Sequence, residues 1–181
     1  SFKSYGQFLY NACRGIDYSP VLPFYEKGEV KSIGHRHTID HDTNNTLEIK
    51  QILLKLAELV ARRLRAKNLV GKTVHCWYRE GANVFHPPGG LASHLLFSDN
   101  GMQTTVLATN DGLDIFKAGW KIFQNLWNGE KIRMIGVSVS NLKESTPQNL
   151  SFLPEVKRKE IITSALDKIN NKYGEFTLQR G

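Results

Sequence analysis

Three histidines are the first residues that could do chemistry. His35, His37 and His41 form a His-x-His-x-x-x-His pattern. On a strand, His35 and His37 would share one side, and two imidazoles so placed could begin a zinc site. No cysteine or further ligand lies nearby, so the set is incomplete. We therefore interpret these histidines as strand or strand-edge residues and predict no metal site.

The other familiar catalytic patterns are missing from the sequence. Serine, histidine and aspartate all occur, but no Gly-x-Ser-x-Gly elbow does. No Walker-type phosphate loop and no adjacent Asp-Glu pair are present. Cys13 and Cys76 lie far apart without metal-ligand spacing, which predicts neither a zinc site nor a disulfide framework. We expect a reduced, intracellular protein with no catalytic residues in this chain.

Positive charge is concentrated in one stretch. The 181 residues carry a net charge of +7, and residues 31–79 hold ten Lys/Arg against four Asp/Glu. Clustered cations displace counterions from a nucleic-acid backbone. The same charges could also be a solvated helix end, because Arg62, Arg63, Arg65 and Lys67 favour a helix C-terminus. No apolar run approaches the roughly 18 residues of a membrane span, so we expect no membrane partner.

The hydrophobic periodicity predicts an α+β domain. Alternating residues predict strands over 31–40, 72–79, 102–109 and 132–140. A helix begins after Asn45, with Glu48 three residues on, and ends near Lys67. A second helix begins after Asp111, and its aromatic residues at helical spacing are expected in the core. The order is β-α-β-β-α-β, which predicts a four-stranded sheet with both helices on one face and the other face open.

Shorter elements flank this domain. We predict a helix over 2–14 with Phe8, Leu9 and Ala12 inward, followed by a linker over 15–30. Residues 80–100 form a long loop, and 142–154 a polar linker. A last helix over 155–173 carries an apolar stripe, which consists of Ile162, Leu166, Ile169 and Tyr173. The start lacks Met and is expected to be internal to a longer protein.

The first strand is suited to contact phosphates with its open side. Ser32, Gly34, Arg36 and Thr38 share one parity. Gly34 has no side chain, so a phosphate can approach its backbone closely. The hydroxyl groups and the guanidinium add donors and charge. Contacts of this kind position a duplex without reading its sequence.

Three segments in register resemble a known family. Lys31-Ser32-Ile33-Gly34 with Thr38, and the long basic helix that follows, resemble the opening of the little-finger domain of Y-family translesion DNA polymerases. The segment 133–139, Arg-Met-Ile-Gly-Val-Ser-Val, is similar to that domain's last strand. Residues 12–17, Ala-Cys-Arg-Gly-Ile-Asp, are similar to the end of the thumb domain. The C-terminal helix resembles tails of some bacterial members.

The resemblance implies a division of the chain and a set of contact residues. Residues 1–30 would be the end of the thumb and a linker, 31–141 the little finger, and 142–181 a linker with a C-terminal helix. The little finger would hold template–primer duplex through phosphate contacts during lesion bypass and DNA repair. The expected DNA-binding residues are Lys31, Ser32, Gly34, Arg36, Thr38, Lys72, His75, Arg79, Gln103 and Thr105. Where the family often has arginines, residues 103–105 are Gln-Thr-Thr, so the contacts there should be weaker.

The resemblance also indicates what this chain should lack. In this family the metal-binding carboxylates belong to the palm, so the parent protein would be a Mg²⁺-dependent DNA polymerase, a transferase. This chain would be inactive alone and would need no cofactor. We expect a monomer in the bacterial cytoplasm, associated with the nucleoid. Gln148, Phe152 and Leu153 resemble a degenerate version of a peptide that docks on the sliding clamp in related bacterial polymerases; a plain linker is the alternative.

Two other functions remain open from the sequence. An RRM-like module for single-stranded RNA has the same element order, but it needs paired aromatics on its central strands, and Trp77 is the one plausible stacking residue. A purely structural or ligand-sensing α+β domain would leave the charge over 31–79 unexplained. The hypothesis of a structural or ligand-sensing domain would gain support if the C-terminal helix covered the open face.

Overall fold

The structure is a computed structural model that describes residues 3–21, 23, 29–81, 100–145 and 154–178. Its strands are β1 (Ser32–Thr43), β2 (Leu69–Glu80), β3 (Asn100–Thr109) and β4 (Ile132–Glu144). Its helices are α1 (Lys3–Ala12), α2 (Thr46–Ala66), α3 (Gly112–Leu126) and α4 (Pro154–Tyr173). The predicted α+β class and the β-α-β-β-α-β order, with one helix before and one after, are confirmed. Each strand extends beyond its predicted range at one end, and β2 does so at both. β4 includes three residues of the predicted linker.

The four strands form one antiparallel sheet in the order β1-β4-β2-β3. The last strand in the sequence, β4, therefore lies inside the sheet, between β1 and β2. Ile33 pairs with Val139, and Val139 pairs with Val74. These three side chains are at most 3% exposed, so they share the face that the helices cover. Among the described strands, β1 and β3 are the edges.

Helices α2 and α3 pack on that face. The side chains of α2 that point inward recur at helical spacing and are all buried: Ile49, Leu53, Leu56, Ala57, Val60, Ala61 and Leu64. Phe123 of α3 is 1% exposed and meets the Tyr78 ring edge-on, with the centroids 5.5 Å apart. Phe116, Trp120 and Trp127 continue this aromatic stack along α3 and pack against the core. The aromatic stripe is therefore core, as predicted.

Both internal helices begin at the predicted caps. The Asn45 side chain accepts from the backbone N–H groups of Leu47 and Glu48, at 3.0 and 3.4 Å. Asp111 does the same for Leu113 and Asp114. The Glu48 carboxylate departs from a capping box, because it accepts from the Thr43 hydroxyl at 2.6 Å.

The flanking helices correct two predictions. Phe8 and Leu9 of α1 are 53% and 41% exposed and Ala12 is also exposed, so the expectation that they point inward is wrong. In α4 the predicted apolar stripe is buried only in part, because Ile162 and Tyr173 are 46% and 65% exposed whereas Leu166 and Ile169 are half-buried. The buried position is Thr163. α4 packs on α2 through a face that contains hydrogen-bonding side chains, which apolar periodicity alone does not reveal.

Polar contacts hold α4 against α2. Arg65 donates to both carboxylate oxygens of Asp167, at 2.6 and 2.7 Å, and to the carbonyl of Asn110 at 2.7 Å. Arg62 donates to Asn171, at 3.1 and 2.5 Å. α2 covers the buried face of the sheet, and α4 packs on α2. The open face is therefore not covered by α4. The observation that would have supported a purely structural domain is therefore contradicted.

Candidate nucleic-acid interface

The face of the sheet away from α2 and α3, which we call the open face, consists largely of glycine, serine and threonine. Cross-strand neighbours in an antiparallel sheet point to the same side. Four rows therefore cross this face, with the residues given in the order β1, β4, β2, β3. They are Ser32–Ser140–Thr73–Thr105, Gly34–Ser138–His75–Gln103, Arg36–Gly136–Trp77–Gly101 and, across three strands, Thr38–Met134–Arg79.

The rows bring eight of the ten expected contact residues onto one surface. These eight are Ser32, Gly34, Arg36, Thr38, His75, Arg79, Gln103 and Thr105. The other two lie outside the rows. Lys31 precedes β1 and is exposed, and Lys72 is half-buried where the β2–β3 register shifts between Gly71 and Thr73. Which of these residues contact DNA stays a prediction.

Glycine allows an aromatic ring to lie flat on the open face. A Cβ built at Gly136 would lie 2.6–2.7 Å from three atoms of the Trp77 indole. The ring therefore rests on the Gly136 backbone, and Gly101 follows Trp77 in the same row. Because the indole lies along the sheet, it does not project from the open face and does not block the access of a ligand to Arg36.

The distribution of positive charge differs from the sequence-based expectation. Six of the ten cations in residues 31–79 belong to α2 and its C-cap: Lys50, Lys55, Arg62, Arg63, Arg65 and Lys67. Arg62 and Arg65 hold α4, on the far side of the helix layer. Only Arg36 and Arg79 of the ten lie in the four rows. The run of charge therefore overstates the cationic character of the open face itself.

Two arginines outside the expected set contact β1. Arg133 donates to the carbonyl of Asp40 at 2.8 Å and lies 3.6 Å from the Asp42 carboxylate, where the β1–β4 register shifts between Thr38 and Thr43. Arg63 donates to the carbonyl of Gly34 at 2.9 Å. From the sequence Arg63 is only part of a basic helix end, because nothing in its spacing shows which strand the helix covers.

Two serines of β4 were also missed. Ser138 and Ser140 occupy the centre of two rows, between β1 and β2. The alternation Gly-Val-Ser-Val-Ser over 136–140 was a sufficient signal, because its small residues share one parity. They add two hydroxyl donors next to Ser32 and Gly34.

The titratable groups of the core offer no site of their own. Burial raises the pKa of the Cys76 thiol to about 12, so it stays neutral and unreactive. The pKa of Tyr78 is also raised, first by burial and then by its hydrogen bond with the Glu130 carboxylate.

His35 and His37 are exposed, and His41 lies 3.3 Å from Glu48. The described residues contain no group of three or more His, Cys, Asp or Glu that could hold a metal ion.

Comparison with known proteins identifies the family of the chain. Residues 30–152 match the impB/mucB/samB family C-terminal domain. The chain belongs to this family. The match includes all four strands and both helices that cover the sheet. The impB/mucB/samB assignment confirms the resemblance to the C-terminal part of a bacterial Y-family polymerase.

Curated relatives of this chain support its assignment to the family. DNA polymerase IV of Moorella thermoacetica is 33% identical over 180 residues, which is 99% of this chain and 42% of the relative. DNA polymerase IV 2 of Bacillus subtilis is 31% identical, over 97% of this chain and 40% of the relative. A putative UV-damage repair protein, UvrX, of the same bacterium is 28% identical over 99% of this chain and 41% of its own length. The chain thus spans about two fifths of the length of these relatives.

Proposed function

We propose that this chain holds the duplex part of template–primer DNA within a translesion DNA polymerase, with the open face against the phosphates. The observation that carries the proposal is the set of four polar rows, left bare by α2, α3 and α4. Three gaps between strands give the sheet a width of about 14 Å, near the roughly 12 Å of a B-DNA major groove. The face can therefore contact the backbones on either side of that groove.

The chemistry of the rows suits a sequence-tolerant contact. Ser32, Ser138 and Thr105 offer hydroxyl donors, and Arg36 offers charge; all are short-range contacts to phosphate oxygens. Nine of the fifteen residues in the described rows are glycine, serine or threonine, which are too short to reach base edges. A polymerase that copies damaged template needs such tolerance, since the duplex that it holds contains altered bases.

The RRM alternative is weaker on the same surface. Trp77 does lie on the open face, but the neighbouring central-strand positions are Gly136 and Ser138. Base stacking by an RRM uses two or three aromatics on the central strands. Trp77 lies on Gly136, and the described rows contain no second Phe, Tyr or Trp; His75, two residues before it on β2, is the one other ring among them.

Catalysis is proposed for the parent protein and not for this chain. Polymerase chemistry requires carboxylates that converge on two metal ions. The described residues do not fit such a site, as no cluster of ligating side chains occurs among them. Mg²⁺ would therefore bind elsewhere in the parent, and we propose that this chain alone does not extend a primer.

Further aspects of the proposal concern organisation and partners. We propose the division at 1–30, 31–141 and 142–181, a monomeric state, and location in the cytoplasm with the nucleoid. None of the described helices is long and apolar enough to cross a membrane. The expected clamp-binding residues Gln148, Phe152 and Leu153 lie outside the described residues. Clamp binding therefore stays a prediction.

Replacing Arg36 tests the proposal. Arg36→Ala and a matched control, Arg158→Ala, should be titrated against two duplexes of unrelated sequence over a range of salt. Arg36 is exposed on the open face, and Arg158 is exposed on α4. We expect Arg36→Ala to weaken both duplexes alike and to reduce the salt slope by about 0.9, the value of one phosphate contact. Unmeasurable affinity of the unaltered chain near about 0.05 M salt, or equal slopes for the two variants, would overturn it.

A further inference from the structure

Arg63 stands apart from the other arginines near the end of α2. Arg62 and Arg65 lie three residues apart on one side of the helix and contact α4. Arg63 is rotated by about 100° from Arg62 and reaches β1 instead, where it donates to the Gly34 carbonyl at 2.9 Å. Its side chain is exposed. Among the described residues, no carboxylate lies within ion-pair distance of it.

The contact fixes which way the Gly34 backbone points. In an antiparallel pair, residues alternate between those that face the partner strand and those that face away. The Val137 carbonyl oxygen lies 3.1 Å from the position of a Cβ built at Gly34, so Val137 faces β1. Gly34 pairs with Ser138, which follows Val137 in β4. Gly34 and Ser138 therefore form a non-hydrogen-bonded pair. The Gly34 carbonyl points outward from the edge, where Arg63 meets it.

The Gly34 N–H group must share that direction. The N–H and C=O of one residue in an extended strand point to the same side. Since β1 is an edge among the described strands, the Gly34 N–H faces outward beside the Arg63 guanidinium. No side chain at Gly34 shields it. One donor from the backbone and one cation from α2 are thus adjacent at the margin of the open face, and Arg36 follows two residues along the strand.

We propose that Arg63 is a further phosphate-binding residue, which together with the Gly34 N–H holds a DNA phosphate at the outer edge of β1. The inference rests on the proposed function and extends its surface. The duplex would contact the open face and also the edge of the sheet, and a helix residue would supply charge that the strands largely lack. The hydrogen bond to Gly34 orients the guanidinium and leaves its other N–H groups for the phosphate.

Two substitutions separate charge from the structural contact. Arg63→Gln keeps an amide donor for the Gly34 carbonyl but removes the charge, whereas Arg63→Lys keeps the charge. Duplex affinity should be measured on the full chain between about 0.05 and 0.2 M salt. We expect Arg63→Gln to lower the salt slope by about 0.9. The loss of duplex affinity relative to the unaltered chain should therefore shrink by about 3.5-fold across this range. Arg63→Lys should keep the slope, and Arg158→Ala serves as the control.

The two proposals can fail separately. If the unaltered chain binds no duplex, or Arg36→Ala has no effect, the proposed function fails. If Arg36→Ala lowers the slope but Arg63→Gln does not, the proposed function stands and the role of Arg63 is refuted. A second readout uses duplexes with one methylphosphonate placed at successive positions. One position should weaken the unaltered chain but leave Arg63→Gln unchanged, and a purely structural role for Arg63 would give no such position.

Discussion

The Trp77 indole lies directly on the backbone of Gly136, with a Cβ at Gly136 placed 2.6–2.7 Å from three ring atoms. The two residues are register partners of β2 and β4 in the middle of the open face. The glycine is needed here for space, because any side chain would occupy the volume of the ring. The flatness of the proposed DNA-binding surface depends on this pair.

Gly136→Ala should displace the indole and destabilise the sheet. Overpacking of this kind typically costs about 1–3 kcal/mol, measurable as a lower free energy of unfolding in urea. The control is the double variant Trp77→Ala/Gly136→Ala, which removes the ring from the contested volume. We expect the two substitutions to be non-additive by at least about 0.5 kcal/mol. Additive effects would show that the ring and the glycine do not compete for space.

A cation added to β3 should strengthen DNA binding only on the correct face. Gln103 is exposed in the second row, whereas Met102, the preceding residue and 47% exposed, has the opposite parity. Gln103→Arg should steepen the salt slope by up to about 0.9 through one new phosphate contact. Met102→Arg adds the same charge to the same strand and should leave the slope unchanged. Equal effects of both substitutions would mean that net charge, and not the open face, governs binding.

The contact between Arg65 and Asp167 should hold α4 in place. Both side chains are largely buried and the pair is bidentate, so Asp167→Asn should cost about 1.5–3 kcal/mol of the free energy of α4 docking. Hydrogen exchange of the α4 amides should become faster, while that of the strands stays the same. Glu175→Gln is the control, since that carboxylate is 62% exposed and 3.7 Å from Arg62. Unchanged exchange of α4 in Asp167→Asn would contradict this account.

Alkaline pH should destabilise the fold through Cys76. The thiol has an ordinary pKa of 9.0 when unfolded and about 12 when folded, because burial disfavours the thiolate. The unfolded state therefore loses its proton first, and stability falls as pH rises from about 9 towards 12, by at most about 1.4 kcal/mol per unit. Below pH 9 the group has no effect. The raised pKa of Tyr78 adds to the decline above pH 10.

Two alanine variants isolate the contribution of the thiol. Cys76→Ala should flatten the dependence of the free energy of unfolding on pH between 9 and 10, apart from a constant loss of packing. Cys13→Ala, at an exposed position, should keep the slope of the unaltered chain. If Cys76→Ala and the unaltered chain decline in parallel, the thiol is not the group that titrates.

Much of the fold could be predicted because local patterns report it. Alternation along β1 identified its two faces, and Asn45 and Asp111 identified the helix starts. The contact faces of α1 and α4 could not be predicted in this way. In α4 the contact face contains Thr163, which is buried, and Asp167, whose partner Arg65 lies on α2, so apolar periodicity alone did not select the contact face. Exposure of Phe8 in α1 likewise depends on which surface is near, and no spacing rule reports that.

The sequence by itself determined the elements, their order, the parity of Ser32, Gly34 and Arg36, and the family. Those properties follow from short-range periodicity and from motifs that remain recognisable without coordinates. Only the tertiary structure decided where the charge lies: Arg65 meets Asp167 across 102 residues, and Arg63 meets Gly34 across 29. Successive side chains on a helix diverge by about 100°, so the packing of α2 sends Arg62 and Arg65 to α4 and Arg63, which lies between them, to the edge of the sheet.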